Sequence, residues 1–224
     1  MAYAMIDDLG LRKGLSNIRI TKLRNGQFKA SATGGSVSNL QTTDSGLKFD
    51  WLADGLPWVL PEEAQPGVDL LHLGHKATRE ALEVHGLGNG KYDLLIDGNV
   101  VGTYWEASLA RHIELQGNTK TPQYQQALQV AMLNKKKNEG PVRSLRDGWR
   151  TFQGWARMDD QLKNGQLTGQ YREDTAKRAA QARERLNGLE KIIQDSEAEA
   201  AEIEDEIYKV NQPVVRHFEL RKAE

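Results

Sequence analysis

The stretch Tyr92-Asp-Leu-Leu-Ile-Asp-Gly-Asn-Val-Val-Gly-Thr-Tyr104 decides the fold of the first half of this 224-residue sequence. Both flanks are rich in apolar and β-branched residues, and Asp97-Gly98 stands between them. An Asp-Gly pair in this position is a strong hairpin signal, because both residues tolerate the positive φ angles of a type I′ turn. The stretch therefore predicts two antiparallel strands, Tyr92–Ile96 and Val100–Tyr104.

Further strands are predicted on both sides of this hairpin. The run Ala81–Leu87 precedes it across Gly88-Asn-Gly90, so the three runs together predict a meander joined by two tight turns. Asn17–Leu23 alternates apolar and polar residues, and Gln27–Ala32 resumes the alternation after the turn residues Arg24-Asn-Gly26. We therefore expect an antiparallel β-module over residues 15–118.

The second half of the sequence predicts helices. A helix over about residues 121–138 opens at Thr121-Pro122, where the hydroxyl can cap free N–H groups and proline suits the first helical position. A second helix is expected over 142–158, because Val142, Leu145, Trp149 and Phe152 recur at spacings of three and four. Residues 213–224 are expected to form a strand, Val214–Leu220, and a tail that rejoins the β-module.

A third helix, over 172–210, carries the clearest periodicity in the chain. Ten positions along this helix follow one another at alternating spacings of three and four residues. Nine of the ten are apolar, which is typical of a coiled-coil seam. These seam residues are Ala179, Ala182, Leu186, Leu189, Ile193, Ser196, Ala200, Ile203, Ile207 and Val210. The fold class predicted is thus α+β, a small antiparallel β-module followed by a long helical hairpin, coiled-coil-like, over residues 119–212.

The charge of the chain is distributed in three segments. Residues 1–118 hold 11 basic and 14 acidic groups, residues 119–170 hold 9 and 4, and residues 171–224 hold 10 and 13. The basic segment is the natural partner of the acidic seam helix, which predicts an intramolecular antiparallel hairpin. A homodimer through the same seam is the alternative.

Composition excludes several classes of protein. The formal net charge of −1 gives no electrostatic case for binding nucleic acid or an anionic membrane, and no apolar run approaches the roughly 18 residues of a spanning helix. The first residues lack the basic and apolar regions of a signal peptide, so this chain is expected to stay where it is made. With no cysteine, disulfides and thiolate metal sites are excluded, and the compartment stays undetermined.

Few side chains form a pattern with catalytic chemistry. Asp69 and His72 have the Asp-x-x-His spacing of Ser-His-Asp hydrolases, but Val68–Leu73 is predicted as a strand, on which residues three apart face opposite sides. No Gly-Asp-Ser or Gly-x-Ser-x-Gly nucleophile motif accompanies them, so they are interpreted as polar residues at a rim. His72 and His75 lack a clear third metal ligand and are interpreted as surface histidines. No catalytic, cofactor-binding or metal-binding residue is therefore predicted.

Three other features favour structural roles. Gly86-Leu-Gly-Asn-Gly90 resembles a phosphate loop but lacks the following Lys-Ser/Thr, so a hairpin turn is predicted. Trp51, Trp58 and Trp105 could form a carbohydrate-stacking platform, although filling a small β-core is the favoured interpretation. Lys135, Lys136 and Lys137 are expected to be the water-exposed end of a helix.

Four stretches together resemble the SGNH (GDSL-like) hydrolases, in particular the large bacterial, planctomycete-type esterases that carry a β-module and a helical tail behind the catalytic domain. The stretches are Met1-Ala-Tyr-Ala-Met-Ile-Asp-Asp-Leu-Gly10, Tyr92–Gly102, Thr121–Leu128 with Asn134, and Glu206–Pro213 with Phe218–Leu220. They span nearly the whole chain. The resemblance implies that residues 1–14, helical over Ala2–Leu11, are the remnant of the last helix of a preceding α/β hydrolase domain.

The resemblance also implies that the catalytic serine, the oxyanion-hole residues and the Asp-x-x-His-Pro block of the family lie upstream, since none matches a position here. Two functions follow as expectations. The first is a C-terminal accessory region of a carbohydrate or lipid esterase, inert alone, whose partner is a separate SGNH catalytic chain or domain. The alternative is a non-enzymatic module that dimerises or docks a partner through the helical arm.

Overall fold

The computed structural model describes residues 14–60 and 62–224. They form two compact units, one that joins the residues up to Met132 with Lys209–Glu224 and one that consists of Leu133–Tyr208. The class is α+β, as expected. The helix predicted over Ala2–Leu11 lies outside the described residues.

The first unit contains two β-sheets. One has the strand order β2-β1-β5-β8 and the other the order β3-β4-β9-β6-β7. The strands are β1 Gly14–Lys22, β2 Phe28–Thr33, β3 Gly35–Thr43, β4 Gly46–Ala53, β5 Arg79–His85, β6 Lys91–Ile96, β7 Asn99–Trp105, β8 Ile113–Glu114 and β9 Arg216–Lys222. The C-terminal strand predicted at Val214–Leu220 is confirmed as β9, which lies in the middle of its sheet between β4 and β6.

Two of the predicted turns are confirmed. Gly26 has a φ angle of 85° and its N–H donates to the carbonyl of Leu23, so β1 and β2 form an antiparallel hairpin. Asp97 and Gly98 both have positive φ angles, 51° and 82°, and join β6 to β7. In both cases the turn residues sit next to each other in sequence, so local chemistry determines the pairing.

The predicted three-stranded meander is wrong at its first step. β5 belongs to the first sheet, where it pairs with β1 and β8, whereas β6 pairs with β7 and β9 in the second sheet. The glycine-rich stretch 86–90 therefore carries the chain from one sheet to the other and is not a hairpin turn. The β-module also departs from a purely antiparallel arrangement, because β1 and β5 are parallel. A parallel pair needs a long connection, and here residues 23–78, which include β2, β3 and β4, supply it.

The two sheets share one hydrophobic core. In β4 every second side chain is buried, and Phe49 faces its register partner Phe218 of β9 with the rings stacked at 5.0 Å between centroids. Ile18, Ile20 and Leu82 of the first sheet belong to the same cluster. Burial of these side chains stabilises the unit by roughly 1.5–3 kcal/mol each.

The short helices of the first unit are α1 Gln65–Leu71, α2 Leu73–Ala77 and α3 Glu106–Arg111, and a 3₁₀ turn, Glu62–Ala64, precedes α1. The strand predicted over Val68–Leu73 is therefore wrong. Pro66 stands at the start of α1, where its missing N–H costs nothing, and His72 ends α1 in the left-handed conformation, with φ 49°.

The remaining helices are α4 Pro122–Glu139, α5 Pro141–Lys163, α6 Gly169–Arg185 and α7 Leu189–Val210. The helices expected over 121–138 and 142–158 correspond to α4 and to a longer α5. The single helix expected over 172–210 is wrong, because it is two helices. Gly188, with φ 80°, follows Asn187 at the break, and a glycine that readily adopts positive φ ends a helix.

The periodic seam of α6 and α7 is covered in the structure. All its residues are buried or partly buried, and Ala179, Ser196 and Ile203 are 7%, 7% and 4% exposed. In the second unit Lys137 of α4 bonds Glu204 of α7 at 2.5 Å, and the guanidinium of Arg183 lies 4.9 Å from the ring centre of Trp155 on α5. Over the described ranges, no helix combines the length and the apolar character needed to cross a membrane.

Candidate functional site

A cleft of about 620 Å³ opens on the first unit. Its walls come from the extended segment after β4, from α1 and α2, from the loop after β8 and from the first turns of α4. The apolar part of the lining consists of Trp58, Val59, Leu60, Val68, Leu73, Tyr124 and Leu128. The volume lies within the range of about 300–1,000 Å³ typical of small-molecule sites.

Hydrogen bonds fix the wall that carries the exposed tryptophan. The N–H of Trp58 donates to Oγ1 of the buried Thr78 at 2.9 Å, and the side-chain amide of Gln65 donates to the carbonyl of Leu60 at 3.3 Å. Trp58 itself is 42% exposed. Its backbone is thus anchored while its side chain stays accessible from the cleft.

Asp69 and His72 lie together at this cleft, both exposed. They stand at the end of helix α1, so the prediction that they lie on a strand and face opposite sides is wrong. Their exposure agrees with the interpretation of both as polar residues at a rim. The N–H of His72 donates to the backbone carbonyl of Asp69 at 3.2 Å. Within the described residues, no serine or threonine hydroxyl is hydrogen-bonded to a histidine ring.

His75 lies at the same cleft and belongs to a polar chain. Its Nδ1 lies 2.6 Å from Oε1 of Glu114, and the amide of Gln116 donates to Oε2 of the same carboxylate at 2.7 Å. Burial alone would raise the pKa of Glu114, but the bonds from Gln116 and His75 outweigh it and hold that pKa below its usual value. Nε2 of His112 also lies near this carboxylate, 3.6 Å from Oε1 of Glu114.

The three tryptophans do not share one site. Trp51 is 3% exposed and belongs to the core, as favoured, but Trp58 and Trp105 are 42% and 58% exposed, so core filling is wrong for both. Lys91 lies over the ring of Trp105, 5.0 Å from its centre. Trp58 alone of the three lines the cleft.

The remaining sequence candidates are dispersed. Lys135 and Lys136 lie inside α4, which continues to Glu139, and Lys137 pairs with Glu204. Across the part of the chain that the structure describes, no group of three or more His, Cys, Asp or Glu side chains is arranged to hold a metal ion.

Sequence reasoning missed the buried carboxyl of Glu80. This residue is 4% exposed, and burial raises its pKa to about 7. Its N–H donates to Oε1 of Gln116 at 3.0 Å, which links it to the polar chain behind the cleft. Alternation along β5 could have identified it, because Glu80 falls on the same inward face as Leu82 and Val84.

No family model matches the sequence, and neither does any curated protein. Among solved structures, the chain is similar over 100% of its length to one described as a gut microbial diltiazem-metabolizing enzyme. The two share 27% sequence identity with a TM-score of 0.74, and the match covers 53% of the enzyme. The chain therefore spans about half the length of this relative.

Proposed function

We propose that this chain is the C-terminal accessory region of an SGNH-type ester hydrolase and is inactive by itself. The observation that carries the proposal is the similarity of the whole chain, both units included, to about half of a larger metabolizing enzyme. A region of this kind acts by covering or extending an active site that another domain supplies.

The side chains of the described residues support an inactive accessory role. An ester hydrolase of this type needs a hydroxyl nucleophile within hydrogen-bond reach of a base. Four histidines of this unit, His75, His85, His112 and His217, instead lie beside carboxylates, as His75 does with Glu114 and His217 with Asp50 at 2.6 Å. Such pairs orient an imidazole but supply no nucleophile.

The helical region fits an arm of such an accessory region. We infer that α4 to α7 pack as an intramolecular coiled-coil-like hairpin, which the Lys137–Glu204 and Trp155–Arg183 contacts support. Gly148 of α5 adds a third contact, since a Cβ there would lie 2.7 Å from Cδ1 of Leu189. The missing side chain allows the two helices to approach closely.

The test compares two polypeptides. This chain alone should hydrolyse p-nitrophenyl acetate and butyrate only at background, whereas a polypeptide extended by the upstream gene sequence should hydrolyse both. Upstream sequence without Gly-Asp-Ser and Asp-x-x-His-Pro blocks would contradict the proposal. So would hydrolysis by the chain alone that is lost in Asp69→Asn or His72→Ala.

Exposed aromatic residues favour the second candidate function, a docking module. Trp149 and Phe152 of α5 are 50% and 37% exposed and contact each other edge to face at 5.7 Å, and Tyr171 is 80% exposed. Isolated large apolar side chains are common on surfaces, whereas aromatic residues are enriched where proteins contact one another. Sedimentation velocity of the chain over a hundredfold concentration range distinguishes a monomer from a dimer formed through this pair.

A further inference from the structure

The cleft beside α1 combines an apolar lining with an excess of acidic groups. Glu62 and Asp69 line it, and both are exposed. Neither forms an ion pair with any described residue. Of the described residues that line this cleft, none is a lysine or an arginine. The potential inside it therefore favours a positive charge.

The aromatic residues of the lining favour the same sign of charge. Trp58 is accessible, and Tyr124 on the first turn of α4 is partly buried. The faces of indole and phenol rings attract cations within about 6 Å of the ring centre, with tryptophan the strongest. The same faces offer stacking area to an aromatic ligand.

Several other polar groups of the lining already have partners in the protein. His75 and Gln116 bond Glu114, and the hydroxyl of Thr78 accepts the N–H of Trp58. These bonds hold the walls in place before a ligand arrives, which lowers the entropy cost of binding. The carboxylates of Glu62 and Asp69 are the acidic groups left to recognise a ligand.

We propose that this cleft binds an organic cation with an aromatic body, whose charged nitrogen is recognised by Asp69 and Glu62 and whose ring contacts Trp58 and Tyr124. The site goes beyond the accessory role proposed above and does not depend on it, since all the described walls belong to the first unit of this chain. Among the described residues, the carboxylates and histidines form no group of three or more that could hold a metal ion.

Three probes of similar size separate charge from ring stacking: benzyltrimethylammonium as the cation, benzenesulfonate as the anion and benzyl alcohol as the neutral ring. Binding to the whole chain is measured by tryptophan fluorescence and by ¹H–¹⁵N chemical shifts. The cation should bind weakly, with a dissociation constant of about 1 mM, and at least tenfold more tightly than the anion. Raising NaCl from 50 to 500 mM should weaken it, because exposed charges are screened.

Variants locate the site. Asp69→Asn and Glu62→Gln should each weaken binding of the cation about threefold, and Trp58→Ala about tenfold, with unchanged circular dichroism. The matched controls are Asp44→Asn, an exposed carboxylate in the turn between β3 and β4, and Trp105→Ala, an exposed tryptophan outside the cleft. Both should bind as the parent does.

Two results would overturn the proposal. The first is equal affinity for the cation, the sulfonate and the alcohol, which would make the cleft a site for rings of any charge. The second is loss of binding in Trp105→Ala as large as in Trp58→Ala, which would place the probe elsewhere. Chemical-shift changes confined to α1, α2 and the first turn of α4 would support it, and a failure of the esterase test would leave this outcome unaffected.

Discussion

Glu80 and Gln123 both line one small cavity of about 10 Å³, and Oε2 of Glu80 and Oε1 of Gln123 are buried with no hydrogen-bond partner among the described residues. Glu80 belongs to β5 and Gln123 to α4. The ionised form of a buried carboxyl loses the hydration that water would give it, whereas the protonated form is neutral and loses less. Burial accordingly raises the pKa of Glu80 to about 7.

The first prediction concerns the pH dependence of stability. The ordinary pKa of this carboxyl is 4.5, so between about pH 4.5 and 7 the unfolded chain loses a proton that the folded chain keeps. The free energy of unfolding therefore falls as the pH rises through this window, by about 2 kcal/mol between pH 5 and 7.5. Urea unfolding at the two pH values measures the fall.

Glu80→Gln should remove this part of the pH dependence, because the amide has no proton to lose in this range. Glu106→Gln, on the partly buried start of α3, is the matched control and should keep the dependence of the parent. A parent chain as stable at pH 7.5 as at pH 5 would show that Glu80 is solvated in the folded state.

The hairpins could be predicted from the sequence because their signals are local. Asp97-Gly98 and Asn25-Gly26 specify turns whatever the rest of the chain does. The glycine-rich stretch 86–90 carries a similar local signal, yet it joins two different sheets. The reason is that β5 pairs with β1 in one sheet and β6 pairs with β9 in the other. Contacts between residues so distant in sequence leave no local pattern.

The candidate cleft could be predicted only in part. Trp58, Asp69 and His72 were all recognised as unusual, but the short apolar run Val68–Leu73 fits a strand and a helix equally well by periodicity. The wall formed by Tyr124 lies more than fifty residues away in sequence. Tyr124 falls within the helix predicted over residues 121–138, and nothing in a helical pattern indicates a cleft.

A second prediction concerns Asp97, which connects the β6–β7 turn to β9. Its Oδ2 lies 2.9 Å from Nη1 of Arg216, and its Oδ1 accepts the N–H of His217 at 2.8 Å. Asp97→Ala should lower the free energy of unfolding by about 2–3 kcal/mol, since it removes both bonds and places alanine at a positive φ.

Asp97→Asn is the matched variant for this residue. Asparagine tolerates positive φ and keeps an acceptor for the N–H of His217. Only the ion pair with Arg216 is lost, which should cost about 1 kcal/mol for a partly exposed pair. Chemical denaturation of the two variants gives the difference. Equal costs for alanine and asparagine would mean that neither the backbone bond nor the turn conformation contributes.

A third prediction concerns Gly46 at the start of β4. A Cβ atom at this position would lie 1.9 Å from the carbonyl oxygen of Leu220, and backbone cannot move aside as a side chain can. Gly46→Ala should therefore separate β4 from β9 and cost at least about 3 kcal/mol in thermal or urea unfolding. Gly117→Ala, where a Cβ would meet nothing within 4 Å, should be nearly neutral. Similar melting temperatures for both variants would contradict the close contact between these strands.

The last prediction compares two adjacent isoleucines of α7, one in the covered seam and one on the exposed face of the helix. Ile193 belongs to the seam and is partly buried, while Ile192 is 44% exposed. Ile193→Asp places a carboxylate in an apolar contact and should cost about 3 kcal/mol, whereas Ile192→Asp should stay within about 0.5 kcal/mol of the parent. If the helices pack within one chain, the melting temperature of the parent will not change with protein concentration. A melting temperature that rises with concentration, together with a dimer in sedimentation, would instead assign the seam to an interface between two copies.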